Sequence, residues 1–265
     1  MKHIQLENGT NTAYREVGSG PQTLVLLHGF CGGSMYWDKL VPLLTDFRVI
    51  LPNLRGHGGS TGKDEPHTME MFAEDLRLLF DALQLDNVHL FGHSLGGYVT
   101  LAFAEKHADR LASIGLIHST PLPDTEEARA NREKSAESIL ASGLEPFIRA
   151  LVPKLFAPDK LAILPEEVES AKQIGLATDP QAAVQTLRGM RDRKDRLQVL
   201  QETSLPILLV AGDGDQIVPP AKTFLVEGEH VEQVLLEGVG HMGMMEAPEK
   251  MAEAITRFIG RFFTR

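Results

Sequence analysis

Short apolar runs recur along the chain, and most of them end at a glycine, a proline or a histidine. The clearest lie at residues 23–27, 47–51, 88–91, 111–117, 207–211 and 231–236. Several of these runs are apolar at consecutive positions, which is typical of parallel strands whose two faces are both covered by helices. The pattern therefore predicts an α/β protein built on a mostly parallel sheet.

Helical periodicity separates the predicted strands. Residues 69–83 carry apolar side chains at helical spacing, and residues 246–263 form a predicted closing helix with Pro248 in its first turn. The start of the chain differs, because residues 3–8 and 12–17 flank an Asn-Gly pair. Such a pair favours a tight turn, so an antiparallel hairpin is predicted there.

Residues 121–203 interrupt this alternation. They contain successive charged or alanine-rich helical patterns, separated by prolines, without a convincing strand. The strand pattern resumes at Pro206, so we expect a core domain made of residues 1–120 and 204–265. Residues 121–203 are then a helical cap, or lid, inserted into that core; an independent helical domain is the alternative interpretation.

Composition narrows the classes of function. The formal net charge is −10 and the pI is near 5.5, which disfavours nucleic acid and anionic membrane surfaces as partners. Cys31 is the sole cysteine, so the chain cannot form an internal disulfide. Its apolar runs are all much shorter than the roughly 18 residues that span a bilayer. The first residues, Met1 to Glu7, also lack the apolar segment of a signal peptide. We therefore expect a cytoplasmic protein that acts on a small molecule.

The strongest chemical signal is Gly92-His93-Ser94-Leu95-Gly96-Gly97. It follows a predicted strand and precedes a helical pattern, which is the context of a nucleophile elbow. Flanking glycines allow the sharp turn that holds the Ser94 hydroxyl clear of the backbone. A serine hydroxyl is a weak nucleophile at neutral pH, so this geometry requires a base within reach.

Candidates for the base and for the acid that orients it follow later strands. His241 lies just after the last predicted strand, while Asp213 and Asp215 follow the strand at residues 207–211. The carboxyl ends of parallel strands meet at one edge of a sheet, so these loops are predicted to converge on Ser94.

Four segments in this order resemble motifs of the α/β-hydrolase superfamily. They are His28-Gly29-Phe30, residues 55–60 (RGHGGS), the elbow, and the pair of segments that carry Asp215 and His241. The order Ser, Asp, His is that of the superfamily's catalytic triad. The resemblance implies an α/β-hydrolase fold: a mostly parallel eight-stranded sheet flanked by helices, with a helical cap insertion.

The resemblance also implies roles. Ser94 would be the nucleophile and His241 would be the base. The acid would be Asp215, which stands at the fourth position of the family's G-x-x-D pattern. Asp213 would then cap its loop. The backbone N–H groups of Phe30 and Leu95 would form the oxyanion hole. The implied activity is that of a carboxylesterase-like or enol-lactonase-like serine hydrolase acting on an ester, thioester or lactone. It needs no cofactor, and no metal-binding spacing is visible.

Three alternatives stay open at this point. The same fold hosts carbon–carbon bond hydrolases, and menaquinone-pathway relatives use the triad as a lyase. Arginines that hold substrate carboxylates would favour the lyase, and Arg129, Arg149, Arg188 and Arg191 lie in the predicted lid. A ligand receptor that keeps the hydrolase fold is the third alternative.

Overall fold

A computed structural model describes residues 1–62 and 64–263. Within them a single eight-stranded sheet has the order β1-β2-β4-β3-β5-β6-β7-β8. β1 pairs antiparallel with β2, β2 pairs antiparallel with β4, and the other pairs are parallel. The predicted fold class is confirmed. The strands are β1 (Lys2–Gln5), β2 (Asn11–Val17), β3 (Gln22–Leu27), β4 (Phe47–Pro52), β5 (Val88–His93), β6 (Leu111–Ile117), β7 (Ile207–Gly212) and β8 (Val231–Leu236).

Helices flank this sheet and fill the connections between its strands. For example, the helix after β5 packs on β5, β6 and β3, and the last helix contacts β8. The helices are α1 (Met69–Leu83), α2 (Leu95–His107), α3 (Glu126–Ser142), α4 (Leu144–Leu155), α5 (Pro165–Leu176), α6 (Pro180–Arg191), α7 (Leu197–Glu202), α8 (Pro220–Thr223), α9 (Gly243–Glu246) and α10 (Pro248–Phe262).

Burial along the strands explains the apolar runs in the sequence. Every residue of β5, β6 and β7 is buried, because these central strands have helices or neighbouring strands on all sides. Buried and partly exposed positions mix in β8, and β1 is largely exposed, since both lie at the edges of the sheet. The continuously apolar runs therefore mark the strands that form the middle of the core.

The two ends of the chain refine the prediction. The N-terminal hairpin is confirmed, with Gln5 opposite Asn11 in the antiparallel pair. The predicted closing helix over 246–263 is wrong at its start. Ala247, at φ −150° and ψ 58°, lies outside helical geometry and separates α9 from α10, which begins at Pro248. Proline disfavours helical geometry in the residue before it, which explains the break.

Residues 121–203 carry α3 to α7 and lie between β6 and β7. This segment is called the helical insertion below. Among the described residues, backbone hydrogen bonds connect it to the rest of the chain at two points: the His67 N–H donates to the carbonyl of Gln185, and the His241 N–H donates to that of Leu155. In the described part of the chain, helices are too short or too polar to cross a membrane.

Candidate active site

Ser94 occupies a strained turn between β5 and α2. Its backbone has φ 51° and ψ −113°, a region that non-glycine residues rarely adopt. The hydrogen bonds that hold the turn include one from Ser94 N–H to the Ile117 carbonyl at 3.0 Å and one from Ser119 Oγ to the Ser94 carbonyl at 2.7 Å. The predicted elbow therefore has the geometry that places a side chain at the carboxyl end of the sheet.

Close backbone contacts explain the glycines around Ser94. A Cβ atom on Gly92 would lie 2.1 Å from the carbonyl carbon and oxygen of Gly96. A Cβ atom on Gly96 would lie 2.5 Å from the carbonyl oxygen of Leu27 in β3. The chain can reverse from strand to helix at this distance only because both side chains are absent.

The structure brings Asp215 and His241 together. His241 Nδ1 donates to Asp215 Oδ2 at 2.7 Å, and both side chains are almost fully buried. The other carboxylate oxygen accepts the N–H groups of Ile217 and Val218 at 2.8 and 2.9 Å. The carboxylate is thus fixed in orientation, and its hydrogen bond leaves Nε2 of His241 as the nitrogen available for proton transfer.

A second histidine shares the same carboxylate oxygen. His118 follows β6 at φ 48°, and its Nδ1 donates to Asp215 Oδ2 at 3.3 Å. Burial lowers the pKa of His118 despite the bond to Asp215, so the imidazole is neutral at neutral pH. Sequence reasoning did not find this contact, because 97 residues separate the two side chains and no motif links them.

These contacts decide the charge of Asp215. Burial alone would raise the pKa of this carboxyl, but the electrostatic interaction with His241 and the hydrogen bonds from His118 and His241 outweigh it. The pKa of Asp215 is therefore held below its ordinary range, and the group is ionised at neutral pH.

The same three side chains have the composition of a small metal site. One atom each of His118, Asp215 and His241 lie within 4.8 Å of one another. The two imidazoles donate their Nδ1 protons to the carboxylate between them, so these atoms already satisfy one another. Hydrogen bonding accounts for the cluster, although the sequence spacing had not indicated it.

His93 links the elbow to the His241 loop. Its Nε2 donates to the His241 carbonyl at 2.8 Å, and the two rings lie 4.9 Å apart between centroids. His93 therefore packs beside the elbow and contacts the His241 loop. No hydrogen bond joins Ser94 Oγ to His241 among the contacts of residues 1–62 and 64–263. Such bonds often shorten only when substrate binds.

Two backbone N–H groups beside Ser94 are without an acceptor within the described residues. They belong to Phe30, in the loop after β3, and to Leu95, the first residue of α2. The Phe30 loop lies against the elbow, since a Cβ atom on Gly29 would be 3.3 Å from Cβ of Ser94. A helix N-terminus and a free N–H group nearby suit a developing negative charge.

Glu246 holds the His241 loop in place. Its carboxylate accepts the N–H groups of Gly240, Met242 and Ala157, each at 3.0 Å. Ala157 belongs to the helical insertion, so this one carboxylate also fastens the insertion to the loop of His241. The sequence placed Glu246 only at the start of the predicted closing helix, and no local signal pointed to these contacts.

The remaining candidates make structural contacts. Asp213 accepts the N–H of Gly238 at 2.7 Å, as expected for a residue that caps its loop. His28 Nδ1 donates to the Gly29 carbonyl, and its Nε2 accepts the N–H of Leu54. Cys31 is buried, and burial raises the pKa of its thiol, which disfavours a reactive thiolate.

The four arginines considered for a lyase site all pair with acidic side chains. Arg149 bonds to Glu145 in α4, while the other three pair with Glu133 or Asp192. A cavity opens beside Phe30 and Gln216, and these four arginines are not among the residues that line it. The cationic side chains in its wall are those of Arg132 and Lys154. The sequence alone did not distinguish these positions, because all of them lie on helices of the insertion.

A family model described as the alpha/beta hydrolase fold matches residues 22–248. That match covers most of the chain and includes the loops of Phe30, Ser94, Asp215 and His241. The protein therefore belongs to the α/β-hydrolase family.

Solved structures and curated sequences agree with this assignment. The structure is similar to a thermophilic esterase from Thermogutta terrifontis, solved with malate bound, at 32% identity and a TM-score of 0.94 over 100% of both chains. An enol-lactonase from Burkholderia xenovorans LB400 shares the fold, with a TM-score of 0.88 at 22% identity over 97% of this chain and 99% of that one. A dihydrolipoyllysine-residue acetyltransferase component of the acetoin cleaving system of Pseudomonas putida is 32% identical over 91% of this chain, which spans 64% of its length. These similar proteins thus include an esterase and an enol-lactonase that share the α/β-hydrolase fold.

Proposed function

We propose that this protein is a serine hydrolase that cleaves a carboxylic ester, thioester or lactone through an acyl-enzyme. Ser94 is the nucleophile, His241 the general base and Asp215 the orienting acid. The observation that carries the proposal is the buried 2.7 Å hydrogen bond from His241 to the ionised Asp215, next to a serine in a strained elbow. Similarity to a 32% identical esterase adds support.

The proposed reaction has two halves. His241 Nε2 takes the Ser94 proton as Oγ attacks the substrate carbonyl, and the N–H groups of Phe30 and Leu95 bind the oxyanion. Collapse of this intermediate expels the alcohol or thiol, which takes the proton back from His241. Water, activated by His241, then attacks the acyl-enzyme and frees Ser94.

We also propose that residues 121–203 act as the lid of a core made of residues 1–120 and 204–265. Support comes from the cavity beside Phe30, since side chains of α3, α4 and α6 form much of its wall. A lid of this kind selects substrates and excludes water from the reacting atoms. The four arginines suggested for a lyase pair with acidic side chains and do not line this cavity, so these four residues give that alternative no support.

The test is hydrolysis of a series of p-nitrophenyl esters of increasing acyl chain length. We expect a burst of p-nitrophenol equal to the enzyme concentration if deacylation is the slower half. The Ser94→Ala variant should lose at least about 10³-fold in kcat without a change in thermal stability. Equal turnover by wild type and Ser94→Ala, or none by either on any ester, would overturn the proposal.

A further inference from the structure

One cavity lies between the helical insertion and the candidate active site. It has a volume of about 560 Å³ and is open toward solvent. Phe30, whose N–H is a proposed oxyanion donor, and Gln216, the residue after Asp215, form its inner wall, and α3, α4 and α6 form the outer wall. The acyl or alcohol part of a substrate whose carbonyl sits at Ser94 would extend into this space.

The charge of the cavity wall differs from that of the whole protein. The described residues that line it include two cationic side chains, Arg132 and Lys154, and none that is acidic. The rest of its wall is mainly hydrocarbon, with Phe147, Leu151 and Leu187 contributed by the insertion. A positive, apolar cavity stands out in a chain whose formal net charge is −10.

The charge of Arg132 is only partly neutralised. Asp124 lies between Arg132 and Arg193 and pairs with both guanidinium groups. The side chains of Asp124 and Arg193 are each 5% exposed, and that of Arg132 is 23% exposed at the cavity. This trio therefore has a net charge of +1 in a largely desolvated place, where an unpaired charge is unfavourable unless an anion approaches it.

Lys154 adds a second positive charge. It lies in the last turn of α4, is exposed, and pairs with no carboxylate among the ion pairs of the described residues. Its stem and the Arg132 side chain line the same cavity, so their fields add in the space between them.

We propose that this cavity binds the carboxylate of an anionic substrate. The preferred substrates are then esters or lactones that carry a free carboxylate several bonds from the scissile carbonyl. The hydrocarbon spacer would contact Phe147 and Leu151, and the carboxylate would lie near Arg132 and Lys154. This inference rests on the proposed function, since it assumes that the scissile carbonyl sits at Ser94.

The test compares two p-nitrophenyl esters of the same dicarboxylic acid: 4-nitrophenyl hydrogen adipate, which is anionic, and its methyl ester, which is neutral. For wild type we expect kcat/KM to be about tenfold higher for the anionic ester, mainly through a lower KM. The preference should decrease when salt is raised, because ions screen the two cations.

Lys154→Met removes one charge while keeping the length of the side chain. We expect the preference for the anionic ester to fall about fivefold, the upper range for one exposed ion pair. Lys134→Met is the matched control, because Lys134 is an exposed lysine on α3 that does not line the cavity. The Lys134→Met variant should prefer the anionic ester by the same factor as wild type.

The outcomes separate the two proposals. Hydrolysis of the methyl ester with no preference for the anionic ester, or a preference that Lys154→Met leaves unchanged, overturns this inference alone. Hydrolysis of neither ester, nor of any p-nitrophenyl ester, overturns the proposed function and this inference with it.

Discussion

Asp213 and Asp215 are two residues apart, yet their surroundings give them different roles. Asp215 accepts four hydrogen bonds, from two imidazoles and two backbone N–H groups. Asp213 accepts the N–H of Gly238 and, within the described residues, has no hydrogen bond to either histidine. The family pattern favours Asp215 over Asp213 by position alone. These contacts give a physical reason for the same preference, because Asp215 is the one that bonds to His241.

Replacing each aspartate by asparagine should separate these roles. In Asp215→Asn the backbone N–H groups can still bond to the amide oxygen, but the amide nitrogen then faces His241 Nδ1. His241 is forced into the tautomer with its proton on Nε2, which cannot accept the Ser94 proton. We expect kcat on p-nitrophenyl acetate to fall by about 10⁴-fold.

Asp213→Asn is the matched control. The asparagine oxygen still accepts the N–H of Gly238, so kcat should stay close to that of wild type. A large loss in Asp213→Asn with little loss in Asp215→Asn would contradict the assignment of the acid.

At the scale of elements, β5, the elbow and α2 form one unit that depends on backbone contact. Two glycines, one at the end of the strand and one in the first turn of the helix, approach within van der Waals distance of main-chain atoms. A side chain added at either glycine could not displace these main-chain atoms at low cost. Substitutions at the two glycines should therefore be poorly tolerated.

Gly92→Ala should therefore destabilise the fold, because its Cβ would lie 2.1 Å from the Gly96 carbonyl. We expect the free energy of unfolding in urea to fall by about 3 kcal/mol. The control is Gly260→Ala in α10, where an added Cβ meets no atom within 4 Å. There alanine should stabilise the helix by about 0.5–1 kcal/mol. Similar changes in the two variants would contradict the packing argument.

Much of this organisation was predictable, because apolar runs and glycine-rich turns are local signals. The strands at residues 111–117 and 231–236 and the helix at 69–83 have the predicted bounds. Contacts between distant segments were not predictable. His118, after β6, bonds to Asp215, after the neighbouring strand β7. Asp124, near the start of the insertion, bonds to Arg193 near its end. Neither pair belongs to a motif, so only the fold brings them together.

At the scale of the whole molecule, buried histidines link stability to pH. Burial, and to a lesser extent the neighbouring His57, lower the pKa of His28 to about 3, and burial lowers the pKa of His57 to about 4. Burial also lowers the pKa of His89 to about 4. In the unfolded chain these groups titrate near 6.5.

The sign of the pH effect follows from these values. Between pH 6.5 and 4 the unfolded chain binds more protons than the folded protein, so stability is retained above pH 6.5 and lost as the pH falls. Three such groups give a slope of about 4 kcal/mol per pH unit near pH 5. Urea unfolding at several pH values measures this slope. His89→Gln should remove about one proton from the difference between the unfolded and folded states, so the slope should become smaller. A free energy of unfolding that stays constant from pH 6.5 to 4.5 would contradict the neutral, buried state of these histidines.

The central claim is that Ser94 is the activated nucleophile of an α/β hydrolase. The most direct test is mass spectrometry of the intact protein and its peptides after treatment with a fluorophosphonate. We expect one phosphonyl group per chain, located on Ser94, and none in Ser94→Ala; labelling of His241→Ala should be slower by several orders of magnitude. An unlabelled wild-type protein, or a label on another residue, would contradict the account.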